Sequence, residues 1–130
     1  MKSFVYNWSG FITIAWALVI FALCSVPGQY IPSNTFLELL SFDKLIHAFI
    51  FFILYLTGYL FIKRKNINTF FILIYLVTCV FYGISLEYMQ ATFFINRSFD
   101  YYDMIANSFG VLAAYLLRER IFGLFRTENN

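Results

Sequence analysis

The stretch FDKLIHAFIFFILYLTGYLFIKRK (Phe42–Lys65) decides the fold class. Between Leu45 and Ile62 it contains no Asp, Glu, Lys or Arg. A helix crossing the hydrocarbon core of a bilayer needs about 20 mostly apolar residues, and this run supplies them. Lipid offers no partner to an unpaired peptide group, so the run must be helical. It opens on an acid, an ammonium and an imidazole (Asp43, Lys44, His47) and closes on three consecutive cations, Lys63-Arg64-Lys65. The two ends of this helix therefore face different surroundings.

The rest of the chain repeats the pattern. Apolar runs at about 10–26, 69–90 and 99–117 join the one at 42–62, giving an all-α, integral membrane four-helix bundle in a single domain. Of the 130 residues, 62% are hydrophobic and 12% charged. Soluble domains average about 25% charged residues, so this chain's solvent must be partly lipid. Aromatic residues make up 23%, which suits lipid-facing and interfacial positions. A net charge of +2 without a basic stripe excludes a nucleic-acid partner. Cys24 and Cys79 lie in different runs and form no CxxC or Cys/His set, so both read as inert thiols. They differ in depth by about 6 Å at the helical rise, which argues against a disulfide between them. No clean cleavage site follows the first run, which reads as a retained span.

Seven of the nine Lys and Arg (Lys2, Lys63, Arg64, Lys65, Arg118, Arg120, Arg126) fall on one side of these spans. Lys44 and Arg97 fall on the other. The positive-inside rule then makes both termini cytoplasmic. Thr35 and Glu38 have capping-box spacing, which predicts a short interfacial helix between Pro27 and Phe42. Ser41 and Ser98 are expected to cap spans two and four.

The polar residues collect at one depth. Residues i, i+3 and i+4 share a helix face. Asp43, Lys44 and His47 share one at the start of span two, and Gly83, Glu87 and Gln90 share one near the end of span three. Asp100, Asp103, Asn107, Gly110 and Ala114 form a stripe down span four. Spans alternate in direction, so all three groups lie toward the outer side. Ionisable groups near hydrocarbon turn inward and pair, and they mark functional sites by default. Gly83, Gly110 and Ala114 suit close helix packing instead.

The patterns D-K-x-x-H (Asp43, Lys44, His47), E-x-x-Q (Glu87, Gln90) and R-x-x-D-x-x-D-x-x-x-N-x-x-G (Arg97, Asp100, Asp103, Asn107, Gly110) resemble the VanZ-like family in order and spacing. The likeness runs from Asp43 to Ala114. It departs where Ile95-Asn96 replaces the Pro-Gly common before the Arg. The resemblance implies a small bacterial multi-pass protein of the plasma membrane and cell envelope. The name-giving member of the family is associated with resistance to the lipoglycopeptide teicoplanin, a trait that the genomes of most relatives lack. The resemblance supplies no reaction.

Three function classes fit these residues. As an enzyme on a lipid-linked or phosphorylated envelope substrate, the chain would use His47 as acid or base, with Glu87 and Asp103 as catalytic partners. Asp43, Lys44, Gln90, Arg97 and Asn107 would bind the substrate, the cations gripping phosphate or carboxylate. One His among carboxylates also suits a divalent metal such as Mg²⁺, Mn²⁺ or Zn²⁺. As a binder, the same layer would hold a membrane lipid or lipid-linked precursor. As a transporter, four spans without an inverted repeat would need to form an oligomer to make a path.

Overall fold

A computed structural model describes residues 1–27 and 42–126. Among them the chain forms four helices: α1 (Lys2–Cys24), α2 (Phe42–Arg64), α3 (Phe70–Phe93) and α4 (Tyr101–Arg126). The interfacial helix expected before Phe42, and the Ser41 cap, lie outside the described residues. Helices α1, α2 and α3 are long and apolar enough to cross a membrane. Helix α4 is long enough, but Asp103, Asn107 and the charged residues from Arg118 onward lower its apolarity.

The helices outrun the expected spans furthest at two ends. Helix α1 starts at Lys2 instead of near residue 10. Its polar side chains bond within the helix, Ser9 Oγ donating to the Tyr6 carbonyl and Thr13 Oγ1 to that of Ser9. Helix α4 continues to Arg126 because Arg118, Glu119 and Arg120 are good helix formers. Glu119 is also held from α2, by the Tyr59 hydroxyl at 2.7 Å and the Lys63 ammonium at 3.3 Å.

Turn chemistry explains the remaining boundaries. Helix α2 ends in a Schellman motif: the Asn66 amide donates to the Lys63 carbonyl, and the Ile67 amide to that of Ile62. Asn66 supplies the left-handed residue, at φ 52°. Asn68 Oδ1 accepts from the Phe70 amide and opens α3. Before α4 the capping residue is Asp100, whose Oδ1 accepts from the Tyr102 amide at 2.8 Å. The cap expected at Ser98 thus falls two residues later. Asn96 is left-handed at φ 58°, a conformation Asn tolerates, and so serves where a Gly would otherwise stand.

Helix α2 is the central element, packing most extensively on α4 and α1. Its Phe51, Leu54, Tyr55 and Tyr59 join Ile20, Cys79, Leu86, Val111 and Ala114 in the core. Aromatic tips tie the helices together through backbone carbonyls. Trp16 Nε1 donates to Ile50, Tyr75 to Leu54 and Tyr82 to Ala17, at 2.9, 2.7 and 2.6 Å. In a medium without water these bonds satisfy the buried hydroxyl and indole groups. The outward faces carry large exposed apolar residues, among them Phe11, Leu18, Phe49, Leu73, Phe81 and Leu116. Such a continuous apolar surface belongs in lipid. Cys24 and Cys79 are buried free thiols, as expected.

Candidate functional site

Close packing of three helices builds the site. A Cβ on Gly83 would stand 3.2 Å from both the Asn107 Cβ and the Phe51 ring. Phe51, Gly83 and Asn107 therefore form one layer across α2, α3 and α4. One helical turn toward the Asp43 end, the same three faces carry His47, Glu87 and Asp103. Both turns follow from the i, i+4 geometry of the helices. Gly110 makes this approach possible, because a Cβ there would run into the Ala48 carbonyl.

Lys44 reaches from α2 into a ring of acids. Its ammonium donates to Asp43 Oδ2 at 3.1 Å, to Asp100 Oδ2 at 2.8 Å and to Asp103 Oδ1. Asp100 thus has two tasks: one oxygen caps α4 and the other binds α2. His47 Nδ1 lies 3.1 Å from Asn107 Oδ1. An amide oxygen can only accept, so Nδ1 carries the proton in this contact. The opposite nitrogen, Nε2, faces Asp43 Oδ1 at 3.7 Å and Asp103 Oδ2 at 3.6 Å.

The cluster has a floor and a mouth. Asn107 and Glu87 are 3% and 1% exposed, the side chains of His47 and Asp103 14%, and that of Asp43 55%. Glu87 is the anomaly. Both its carboxyl oxygens are buried and have no hydrogen-bond partner among the described residues. It is close enough to Asp103 and Asp100 to feel their charges, and it faces the Asp100 amide outside bonding geometry. Leaving a buried polar group unpaired costs about 1–3 kcal/mol, more for an ion. Four carboxyl groups (Asp43, Glu87, Asp100, Asp103) here meet one ammonium.

Two of the residues expected in the layer point elsewhere. Gln90 Nε2 donates to the Cys24 carbonyl at 3.2 Å, satisfying an orphan acceptor at the end of α1. Arg97 makes no ion pair or hydrogen bond among the described residues, and its charge is felt at Cys24. Lys44 is engaged by three carboxylates, so its three ammonium donors are taken. Asp100 is the residue whose full role the sequence reading missed. Its place on the Asp103 stripe was the available signal.

Beside the cluster lies an apolar groove of about 330 Å³ between α2 and α4. Leu45, Ala48, Phe49, Phe52, Phe109 and Ala113 line it. Its lining starts at Leu45, the residue after Lys44, and includes no charged group. No family model, curated protein or solved structure matches this chain.

Proposed function

We propose that this is a VanZ-like integral membrane protein of the bacterial plasma membrane. Its polar cluster binds the headgroup of an envelope lipid or lipid-linked precursor at the outer leaflet. The observation that carries the reading is the joint geometry of cluster and groove. A partly buried polar cluster at the end of a membrane bundle shares helices α2 and α4 with an apolar surface groove of about 330 Å³. A lipid has the same two parts, a polar head and a hydrocarbon tail. The excess of carboxyl groups selects headgroups that bear an amine, or whose phosphate arrives with a cation. The charge asymmetry of Lys and Arg supports cytoplasmic termini and an outward cluster. Protection against a glycopeptide antibiotic is the trait that the family resemblance adds to this reading.

A second reading is catalytic, and one contact favours it. The Asn107 contact leaves His47 Nε2 as the basic nitrogen, facing Asp103 across 3.6 Å. That is the arrangement of a general base awaiting a proton from a substrate hydroxyl or water.

Native mass spectrometry of protein extracted with its lipids tests the binding reading. Wild type should retain a defined envelope lipid, and Asp103→Asn should lose it at an unchanged fold, checked by circular dichroism. Equal lipid retention by both proteins would overturn the reading. Conversion of a retained lipid to a new product by wild type, and not by His47→Ala, would select the enzyme.

A further inference from the structure

We infer that Asp43, His47 and Asp103 form a binding site for one divalent transition-metal ion, with Glu87 as an outer acceptor for a metal-bound water. The argument starts from the lone pairs. His47 Nδ1 donates to Asn107 Oδ1, so in the neutral ring Nε2 has only a lone pair to offer. It faces Asp43 Oδ1 and Asp103 Oδ2, which also offer only lone pairs. Three acceptors grouped this closely are stabilised by something positive between them. A proton on Nε2 would serve poorly, since 3.6 and 3.7 Å exceed hydrogen-bond length. A metal suits the spacing better. Two ligands each about 2.1 Å from an ion stand about 3.0–3.4 Å apart at octahedral to tetrahedral angles. His47 Nε2 and each carboxylate oxygen need to close in by only a few tenths of an ångström, and the two carboxylate oxygens already lie within 4.8 Å of one another.

The surroundings are those of a metal centre. A ligating imidazole usually donates its other N–H to an acceptor that fixes ring and tautomer, and Asn107 does this here. Lys44 holds the other oxygen of each carboxylate, Asp43 Oδ2 and Asp103 Oδ1. It thereby orients both acids and leaves their ligand oxygens free. The trio's ligand atoms lie within 4.8 Å of one another. An independent observation points the same way. Glu87, 1% exposed with both oxygens unpartnered, comes from a third helix to face the trio. A buried carboxyl that meets only the Asp100 amide, outside bonding geometry, would accept from a water that a cation holds. The donor set, one imidazole with carboxylates, favours Mn²⁺ or Zn²⁺ over Mg²⁺. The half-exposed Asp43 gives the ion its way in.

The inference uses the same cluster as the headgroup reading without depending on it. The test therefore leaves out the lipid. Protein purified with no polyhistidine tag is titrated with Mn²⁺ in detergent and followed by electron paramagnetic resonance. The chain contains a single His, so a ¹⁴N coupling to bound Mn²⁺ must come from His47. The expected result is one tightly bound ion per chain with one imidazole nitrogen, displaced by Zn²⁺. His47→Ala and Asp103→Asn should each weaken binding at least 10-fold, and Asn107→Ala about 10-fold through loss of ring orientation. Absence of bound Mn²⁺ in the wild type, or binding without nitrogen coupling, would overturn the inference. The wild-type spectrum decides this even if a variant fails to fold. Lipid retention by metal-free protein would leave the headgroup reading standing.

Discussion

Lys44 sits in the first turn of α2, where the helix dipole disfavours a cation. Its three carboxylate partners override that local preference. Removing the ammonium leaves Asp100 and Asp103 facing each other with no counter-charge. Lys44→Met should therefore lower stability by about 1–3 kcal/mol, the scale of charged hydrogen bonds, discounted because the side chain is 30% exposed. Asp103→Asn in the same chain should recover part of the loss. Thermal melting in detergent of the two single variants and the double variant checks this, and additive losses would mean the pair is not coupled. Much of this residue-level chemistry was legible in the sequence. Helical spacing alone put Asp43, Lys44 and His47 on one face and Asp103 and Asn107 on another. Which partner each would choose was not legible. Gln90 shares its face with Glu87, yet it reaches α1 because the carbonyl of Cys24 lies unsatisfied there. Sequence spacing knows only one helix at a time.

At the scale of the element, glycine separates packing from propensity. Gly110 lies against the Ala48 carbonyl, whereas Gly123 in the same helix has open space around it. Gly110→Ala should force α2 and α4 apart beneath the cluster and cost about 1–3 kcal/mol. Gly123→Ala should be neutral or stabilise α4 by up to about 1 kcal/mol. Melting curves of the two variants that coincide would show that α2 and α4 do not cross this closely. Element ends were the least legible part of the fold. Apolarity marks where lipid begins and ends, but α1 and α4 continue past it, because polar residues that bond internally or favour helix do not stop one. The shift of the α4 cap from Ser98 to Asp100 has a similar cause. Both residues are good caps, and the choice goes to the one whose second oxygen also binds Lys44.

At the scale of the molecule, the two ends of the bundle differ in charge. One holds the acidic cluster; the other holds Lys63, Arg64, Lys65 and Arg118. If the proposed orientation holds, with the basic turn cytoplasmic under the positive-inside rule, a Lys65→Cys variant in intact cells should stay unlabelled by an impermeant thiol reagent. Labelling from outside would invert the bundle and turn the cluster inward. The existence of four helices followed from hydrophobic runs alone. That α4 would be the least apolar and the most intimately packed on α2 followed from its polar stripe only in hindsight. A stripe satisfied by neighbours lowers hydropathy without exposing the helix to water.

The central claim is that the Asp43 end of the bundle is where this protein takes hold of an envelope lipid. Leu45 and Phe70 are both 63% exposed on the apolar surface, the first beside the cluster and the second at the far end of the bundle. A photoreactive amino acid at each position, irradiated in cells carrying radiolabelled envelope lipid, measures capture at two equally exposed sites. The account predicts capture at position 45, little at position 70, and loss of the first signal when His47→Ala is added. Equal capture at the two positions, or capture at 45 that survives His47→Ala, would contradict it.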